Sequence, residues 1–342
     1  MQPKLKQQKM GNPILLLLFI IFFPFPSHGQ KLCHPSDVRA LLKIKAALNN
    51  PSAMSSWNGT TDCCTLYAIL YCDPTTNRVN NLIINNDPRI DGRTIPSAIS
   101  QLNYLTSIII FHTGLVGSIP PSFANLKYLQ ELYLYGNRLS GPIPEFLSRM
   151  QSLTTLRLID NGFSGTIPAS LSDLRNLSYL TLHSNKLTGT IPDSFGNFST
   201  QLQVLELEDN RLSGEVPRSL GNLDSLTEIH LQNNEFTGDA SFLFGTNKSA
   251  GEIYLGNNAF EFNFSDVGIP SGLWGLDISR NKIFGSIPEG LATLTGLVVL
   301  NVSDNDLCGE IPQAGKLQTF NNSAYRKNKC LCGNPLPPCP KS

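Results

Sequence analysis

Charge of either sign is in short supply. The 342 residues carry 26 Lys+Arg and 26 Asp+Glu, and 15% are charged against 41% that are apolar. Such a chain is no disordered polyelectrolyte, and it has no basic field with which to attract nucleic acid. Long apolar runs are missing as well. Ile14–Phe23 is ten residues long, whereas a bilayer needs about 20, so no membrane insertion is expected. Cysteine is absent from the 235 residues between Cys72 and Cys308, and histidine occupies five positions in all.

What is present begins with an address. Lys4, Lys6 and Lys9 precede the apolar run, and Pro24, Pro26 and Ser27-His28-Gly29 follow it. Charged, apolar and small-residue regions in that order read as a secretory signal peptide over residues 1–29, because the two prolines would break a core helix. Its removal leaves 23 basic residues against 26 acidic, a net charge of about −3. The C-terminal Pro-Lys-Ser is neither an anchor signal nor a retention tag, so the mature protein is expected to be exported and free.

The cysteines fit that compartment. They form two clusters, Cys33, Cys63, Cys64, Cys72 and Cys308, Cys330, Cys332, Cys339. An even number in an exported chain implies disulfides. Four cysteines allow three pairings in each cluster, and a bond between adjacent Cys63 and Cys64 would close a strained ring. Zinc is a poor fit, because His34 is the one histidine nearby and Cys-Cys and Cys-x-Cys are not usual ligand spacings. No metal and no cofactor is expected. Seven Asn-x-Ser/Thr sequons, at Asn58, Asn176, Asn197, Asn247, Asn263, Asn301 and Asn321, are candidate glycosylation sites.

A chain of this length would ordinarily form two or three domains, or else a repeat array. The segment Leu129-Gln-Glu-Leu-Tyr-Leu-Tyr-Gly-Asn137-Arg-Leu-Ser-Gly-Pro-Ile-Pro144 recurs at Leu153, Leu177 and Leu202. Its Asn position, or a replacement, falls at Asp87, Thr113, Asn137, Asn161, Asn185, Asn210, Asn234, Asn258, Asn281 and Asn305, at intervals of 23 to 26 residues. Ten copies of L-x-x-L-x-L-x-x-N at that period are leucine-rich repeats. The leucines alternate with polar residues and point inward from a short strand. The Asn turns the chain, its amide satisfying backbone groups there. Gly-x-Ile-Pro then starts the convex return. One such unit cannot bury its apolar side alone, so both ends need covers. The expected fold is an α/β repeat solenoid, a right-handed superhelix with a parallel concave sheet. Residues 30–78 form a cysteine-rich N-terminal cap, 79–312 the ten repeats and 313–342 a cysteine-rich C-terminal cap. In the first cap Ser36 is expected to cap a helix whose apolar stripe is Val38, Leu41, Leu42, the stem of Lys45 and Leu48. Residues 239–272 lose the Gly-x-Ile-Pro step, and the convex side is expected to be irregular there.

These features resemble the plant extracellular leucine-rich-repeat proteins, specifically the polygalacturonase-inhibiting proteins. The resemblance is carried by Ala40-Leu-Leu-Lys-Ile-Lys45, Ser55-Ser-Trp57, Thr61-Asp-Cys-Cys64, Gly238-Asp-Ala-Ser-Phe-Leu-Phe-Gly245, Leu307-Cys-Gly-Glu-Ile-Pro312 and Cys330-Leu-Cys-Gly-Asn-Pro-Leu-Pro337. One departure is Tyr67-Ala-Ile-Leu-Tyr71, where similar proteins usually have Trp-x-Gly-Val. The resemblance implies the pairs Cys33–Cys63, Cys64–Cys72, Cys308–Cys330 and Cys332–Cys339. It also implies a secreted, non-enzymatic protein of the cell wall that binds fungal pectin-cleaving enzymes by its concave face in plant defence. Cell-wall pectin itself is a further candidate partner.

The concave face is legible directly, since the x positions of each strand point outward. Candidate partner-binding residues are Glu131, Tyr133, Tyr135, Arg157, Asp160, Tyr179, His183, Glu206, Glu208, Asp209, Glu228, His230, Gln232, Glu252 and Tyr254. An acidic wall studded with tyrosine suits a partner with a basic contact patch, such as the cleft of an enzyme acting on anionic pectin. The resemblance implies acidic residues at the centre of the fourth strand and on the fifth and seventh. Here Arg157, His183 and His230 stand there, and negative charge moves to the sixth strand. That departure bears on which enzyme is bound and on whether inhibition is kept.

Two other classes of function fit less well. For an enzyme, His183 and His230 lie two repeats apart, about 9 to 10 Å, too far to share a metal. Glu206 between them is expected to hydrogen-bond one histidine and raise its pKa. Glu206 and Glu208 as a glycosidase pair would lack a pocket that excludes water. Among binding roles, an ice binder would want a regular array of Thr or Asn, which the mixed face does not offer. The alternative retained is a soluble apoplastic, co-receptor-like protein that binds another protein or a peptide, without inhibitory activity.

Overall fold

The computed structural model describes residues 33–65 and 69–340. The signal peptide expected over 1–29 and the Tyr67-Ala68 part of the cap departure lie outside them. Among the described residues, ten parallel strands form one sheet: β1 (Val79–Ile84), β2 (Ser107–Phe111), β3 (Glu131–Tyr135), β4 (Thr155–Arg157), β5 (Tyr179–Thr181), β6 (Val204–Glu206), β7 (Glu228–His230), β8 (Glu252–Tyr254), β9 (Gly275–Asp277) and β10 (Val299–Asn301). They pair in chain order, one strand per repeat. An antiparallel strand, Leu70–Cys72, covers the β1 edge.

The leucines behave as the period requires. Leu132, Leu156, Leu180, Leu205 and Leu276 align in register across the sheet and are completely buried. Each is worth about 1.5–3 kcal/mol relative to exposure. The Asn positions form a ladder between repeats. Asn234 Nδ2 donates to Leu207 O, one repeat back, while its Oδ1 accepts from Leu212 N. Asn161, Asn185, Asn210 and Asn258 repeat the pattern. Each rung satisfies backbone groups that the strand ladder leaves over.

The first rung differs because the N-terminal cap, and not another repeat, precedes it. Asp87 has no earlier repeat to donate to, and its carboxylate instead accepts from the N–H and hydroxyl of Ser52, both at 2.6 Å, and from Arg89 N. A pure acceptor suits a site facing donors alone. The ladder also runs one rung past the repeats: Asn328, in the C-terminal cap, donates to Val302 O and accepts from Leu307 N.

The return path holds more order than the sequence suggested. After Thr113 and each Asn from Asn137 to Asn258 a short strand, such as Arg138–Gly141, Gly162–Gly165 or Lys186–Gly189, joins a second, seven-stranded parallel sheet. On the convex side a proline then precedes a five-residue 3-10 turn, as in Pro144 before Glu145–Arg149. Helix content is therefore mostly 3-10. The second sheet stops at Ala259–Phe260, and another begins at Phe284–Gly285, so the break falls across the irregular stretch expected over 239–272. Phe244, Phe262 and Phe264 fill the space there, their rings tilted or edge-on to one another.

Both ends are covered. In the N-terminal cap the helix Pro35–Ala47 is capped by His34, whose side chain accepts from Ser36 N; Ser36 lies in the first turn and is not the cap. Its buried residues are Asp37, Ala40, Leu41 and Ile44, followed by Leu48. Leu42 is 38% exposed and leaves the expected stripe, because it sits one position round the helix from Leu41. Buried Asp37 accepts from Arg78 and from Val79 N, tying that helix to β1. Disulfides join Cys33–Cys63 and Cys64–Cys72 at this end, and Cys308–Cys330 and Cys332–Cys339 at the other.

Candidate functional site

Register places the outward side chains in rows. One row crosses the sheet as Ile109, Tyr133, Arg157, Thr181, Glu206, His230, Tyr254, Asp277 and Asn301. A second runs Glu131, Thr155, Tyr179, Val204, Glu228, Glu252. Glu206 and Tyr133 thus share a face and a row. Residues just past the strands make a third line, in which Asp160 N donates to His183 O and Ser184 N to Glu208 O.

Arg157 occupies the middle of an aromatic clamp. Its guanidinium carbon lies 5.7 Å from the Tyr133 ring centroid and 5.5 Å from that of Tyr179. Its Nε is buried without a hydrogen-bond partner among the described residues. Burial, and then the charge of Glu131, push the Tyr133 hydroxyl pKa up. Tyr135 belongs to a separate stack with Phe111, 5.1 Å away and nearly parallel.

His230 is the centre of the second group. Its Nε2 lies 2.8 Å from Glu252 Oε2, its Nδ1 3.8 Å from Glu206 Oε1, and its ring stacks on Tyr254 at 4.6 Å. Glu206 is thus not the histidine's hydrogen-bond partner; Glu252, reaching diagonally from the next strand, is. Burial is the largest influence raising Glu206, and burial pushes the Tyr254 hydroxyl up to about 12.

His183 and Glu208 correct two expectations. Glu208 does not present its charge to solvent: it is 8% exposed, and burial lifts its pKa to about 8. The pKa of His183 is lowered, not raised, again chiefly by burial. Their 3.9 Å separation would be an ion pair only with both groups charged. Burial opposes charge on both. Thr155, Thr181 and Val204, also outward in the pattern, are covered by the larger side chains beside them.

Asp160 and Asp209 are exposed, and both hold positive φ, at 50° and 54°. Ser184, Asn233 and Asn257 hold the same conformation at the same place in the repeat. Short polar side chains, which tolerate the left-handed region, fill most of these turn positions, while His112 and Arg280 hold the same conformation before Thr113 and Asn281. Asn233 donates to Asp209 Oδ1, and Asn257 to Asn233 Oδ1. Beyond Gln232, whose Oε1 is buried without a partner among the described residues, the face opens into a polar groove of about 540 Å³. Asp277, Arg280, Asp304, Arg326 and Lys327 contribute to its walls. The outward x positions of the repeat continue beyond the eighth strand through Asp277 and Asn301, which the sequence signals by the same spacing.

Glu228 and Glu131 are half-buried at the row's lower edge. The arrangement offers aromatic, cationic and carboxylate groups on an open sheet, which suits recognition of a large surface.

Comparison with known proteins places the chain in context. A leucine rich repeat N-terminal domain model matches residues 34–70, and leucine rich repeat models match 127–187, 175–236 and 272–294. The chain is 50% identical to polygalacturonase inhibitor 1 of Phaseolus vulgaris over 95% of its own length and 96% of that protein's. It is 51% identical to polygalacturonase inhibitor 2 of Arabidopsis thaliana, covering 95% and 98%. Among solved structures it superposes on a plant ice-binding protein with a TM-score of 0.85 and 42% identity, covering 91% and 99% of the two chains.

Proposed function

The chain belongs to the polygalacturonase inhibitor family, and from that premise we propose that it binds and inhibits fungal polygalacturonases with its concave face, without catalysis of its own, in plant cell-wall defence. The observation that carries the reading is the continuous row Tyr133, Arg157, Thr181, Glu206, His230, Tyr254, unbroken across six strands. Tyrosine and arginine are side chains on which protein interfaces rely. Burial disfavours charge on Glu208, and Glu252 is engaged by His230. The attraction toward a basic enzyme surface falls to Glu131, Asp160, Asp209 and Glu228, with Glu206 at the centre. Tyr135, Tyr179, His183, Gln232 and Glu252 complete the proposed contact surface.

Export is part of the proposal, with the extracellular space and cell wall as destination. Four disulfides support it. Among the described residues, no helix is long and apolar enough to cross a membrane. The ice-binding neighbour shares the fold, but a row that mixes Tyr, Arg, Glu and His lacks the regular repeat of one residue type that an ice lattice would match.

The test is a pull-down from fungal culture filtrate followed by a pectin-hydrolysis assay. Capture of a polygalacturonase and loss of its activity are expected, with binding weakened by added salt. Capture of other proteins or peptides, with pectin cleavage untouched, would favour the co-receptor-like alternative.

A further inference from the structure

His183, Glu206 and Glu208 meet where the β5 and β6 repeats run side by side. Glu206 pairs with Thr181, so the chain two residues on sets Glu208 against His183, and the bond from Ser184 N to Glu208 O holds that alignment. One ligand atom from each side chain, an imidazole nitrogen and two carboxylate oxygens, lies within 4.8 Å of the others. In isolation, three such groups are common on protein surfaces. The second observation is Glu208 itself: it is 8% exposed, and its Oε2 is buried with no hydrogen-bond partner among the described residues. A buried carboxylate oxygen with nothing to accept from is costly, and it demands a ligand or a donor.

We propose that His183, Glu206 and Glu208 bind a divalent transition-metal ion of the zinc class, a site set within the proposed contact surface and distinct in chemistry from it. Imidazole and carboxylate are the donors such an ion takes, at about 2.0–2.2 Å. Ligand atoms around a tetrahedral ion at that bond length stand about 3.4 Å from one another, so the three side chains need close by only about 1 Å. A hard ion such as calcium prefers six to eight oxygens and gains little from the imidazole. Three protein ligands leave a coordination position open on the concave side, available to water or to a carboxylate of a docked protein. The ion would also place positive charge beside Glu206, whose other neighbour is His230 at 3.8 Å. The expectation of no metal rested on the cysteine spacings and on the distance between His183 and His230; the proposed ligands include no cysteine and need only one of those histidines.

Isothermal titration calorimetry on chelator-treated, tag-free full-length protein tests the site, with zinc and calcium as probes. One zinc per chain is expected, with calcium at least tenfold weaker. Glu208→Gln and His183→Gln should each weaken zinc binding at least tenfold, and His112→Gln, at an exposed histidine, should leave it unchanged. Circular dichroism establishes that each variant is folded, and Glu208→Gln keeps the shape of the side chain it replaces. No zinc uptake by the wild type, or uptake unaltered in both ligand variants, would overturn the proposal. This readout does not involve a polygalacturonase, so it stands or falls separately from inhibition.

Discussion

His230 and Glu252 are joined across neighbouring strands by a 2.8 Å hydrogen bond, with both side chains nearly nine-tenths buried. Their arrangement leaves Glu206, 3.8 Å from the other ring nitrogen, on the opposite flank of the same imidazole. Removing the ring would leave two buried carboxylates without their shared neighbour. His230→Ala is therefore expected to lower stability by about 2 kcal/mol, read from urea denaturation. His230→Gln, which can still donate to Glu252, should lose less. Equal stability of all three proteins would show that the bond does not form.

Asp87 supplies the pH dependence of the N-terminal cap. The hydrogen bond from the Ser52 hydroxyl, followed by backbone donors, holds its pKa below the usual carboxylate range. A depressed folded pKa means that the stabilisation is fully present above the ordinary value of 3.8 and disappears as pH falls through the folded value. Asp87→Ala should cost on the order of 2 kcal/mol at pH 6, with the gap to wild type closing near pH 2. A difference that is constant over that range would contradict the linkage.

The Asn ladder predicts a steep cost in mid-array. Asn234→Ala strands Leu207 O and Leu212 N between two repeats. A loss of about 2–4 kcal/mol is expected for two orphaned backbone groups, together with faster amide exchange on the two flanking repeats. Exchange that rises evenly along the whole solenoid would instead indicate a global effect.

How far these contacts could be read in advance depends on what each required. Inward leucines and ladder Asn positions follow from a local period, so strands, rungs and repeat number were accessible from the chain alone. The second sheet was not, because Arg138–Gly141 and its equivalents carry serine and glycine, the composition of a turn. Asn328 escaped notice because no Leu-x-Leu precedes it. His183 and Glu208 each stand two residues before a ladder Asn, Asn185 and Asn210, so their adjacency follows from the repeat. Their burial does not follow from it, because whether an outward position is open depends on the size of what stands beside it.

Glycosylation should follow exposure. Asn58, Asn176, Asn197, Asn247 and Asn321 are exposed, whereas Asn263 and Asn301 are half-buried, their amides donating to Asp266 and Asp277. Glycopeptide mass spectrometry of the plant-expressed protein is expected to find sugars confined to the exposed group. A glycan on Asn301 would sit on the concave face and block its C-terminal end.

The most direct measurement of the concave-face account is the inhibition constant against a fungal polygalacturonase that the wild type inhibits, compared among three variants. Arg157→Ala empties the tyrosine clamp, and Asp209→Asn with Glu228→Gln removes two carboxylate charges from the face. Arg149→Ala alters only an exposed residue of a convex turn. The account predicts at least tenfold weaker inhibition for the first two variants, with melting temperatures within a few degrees of wild type, and no change for the third. Full inhibition by both concave variants, or its loss in Arg149→Ala alone, would contradict it.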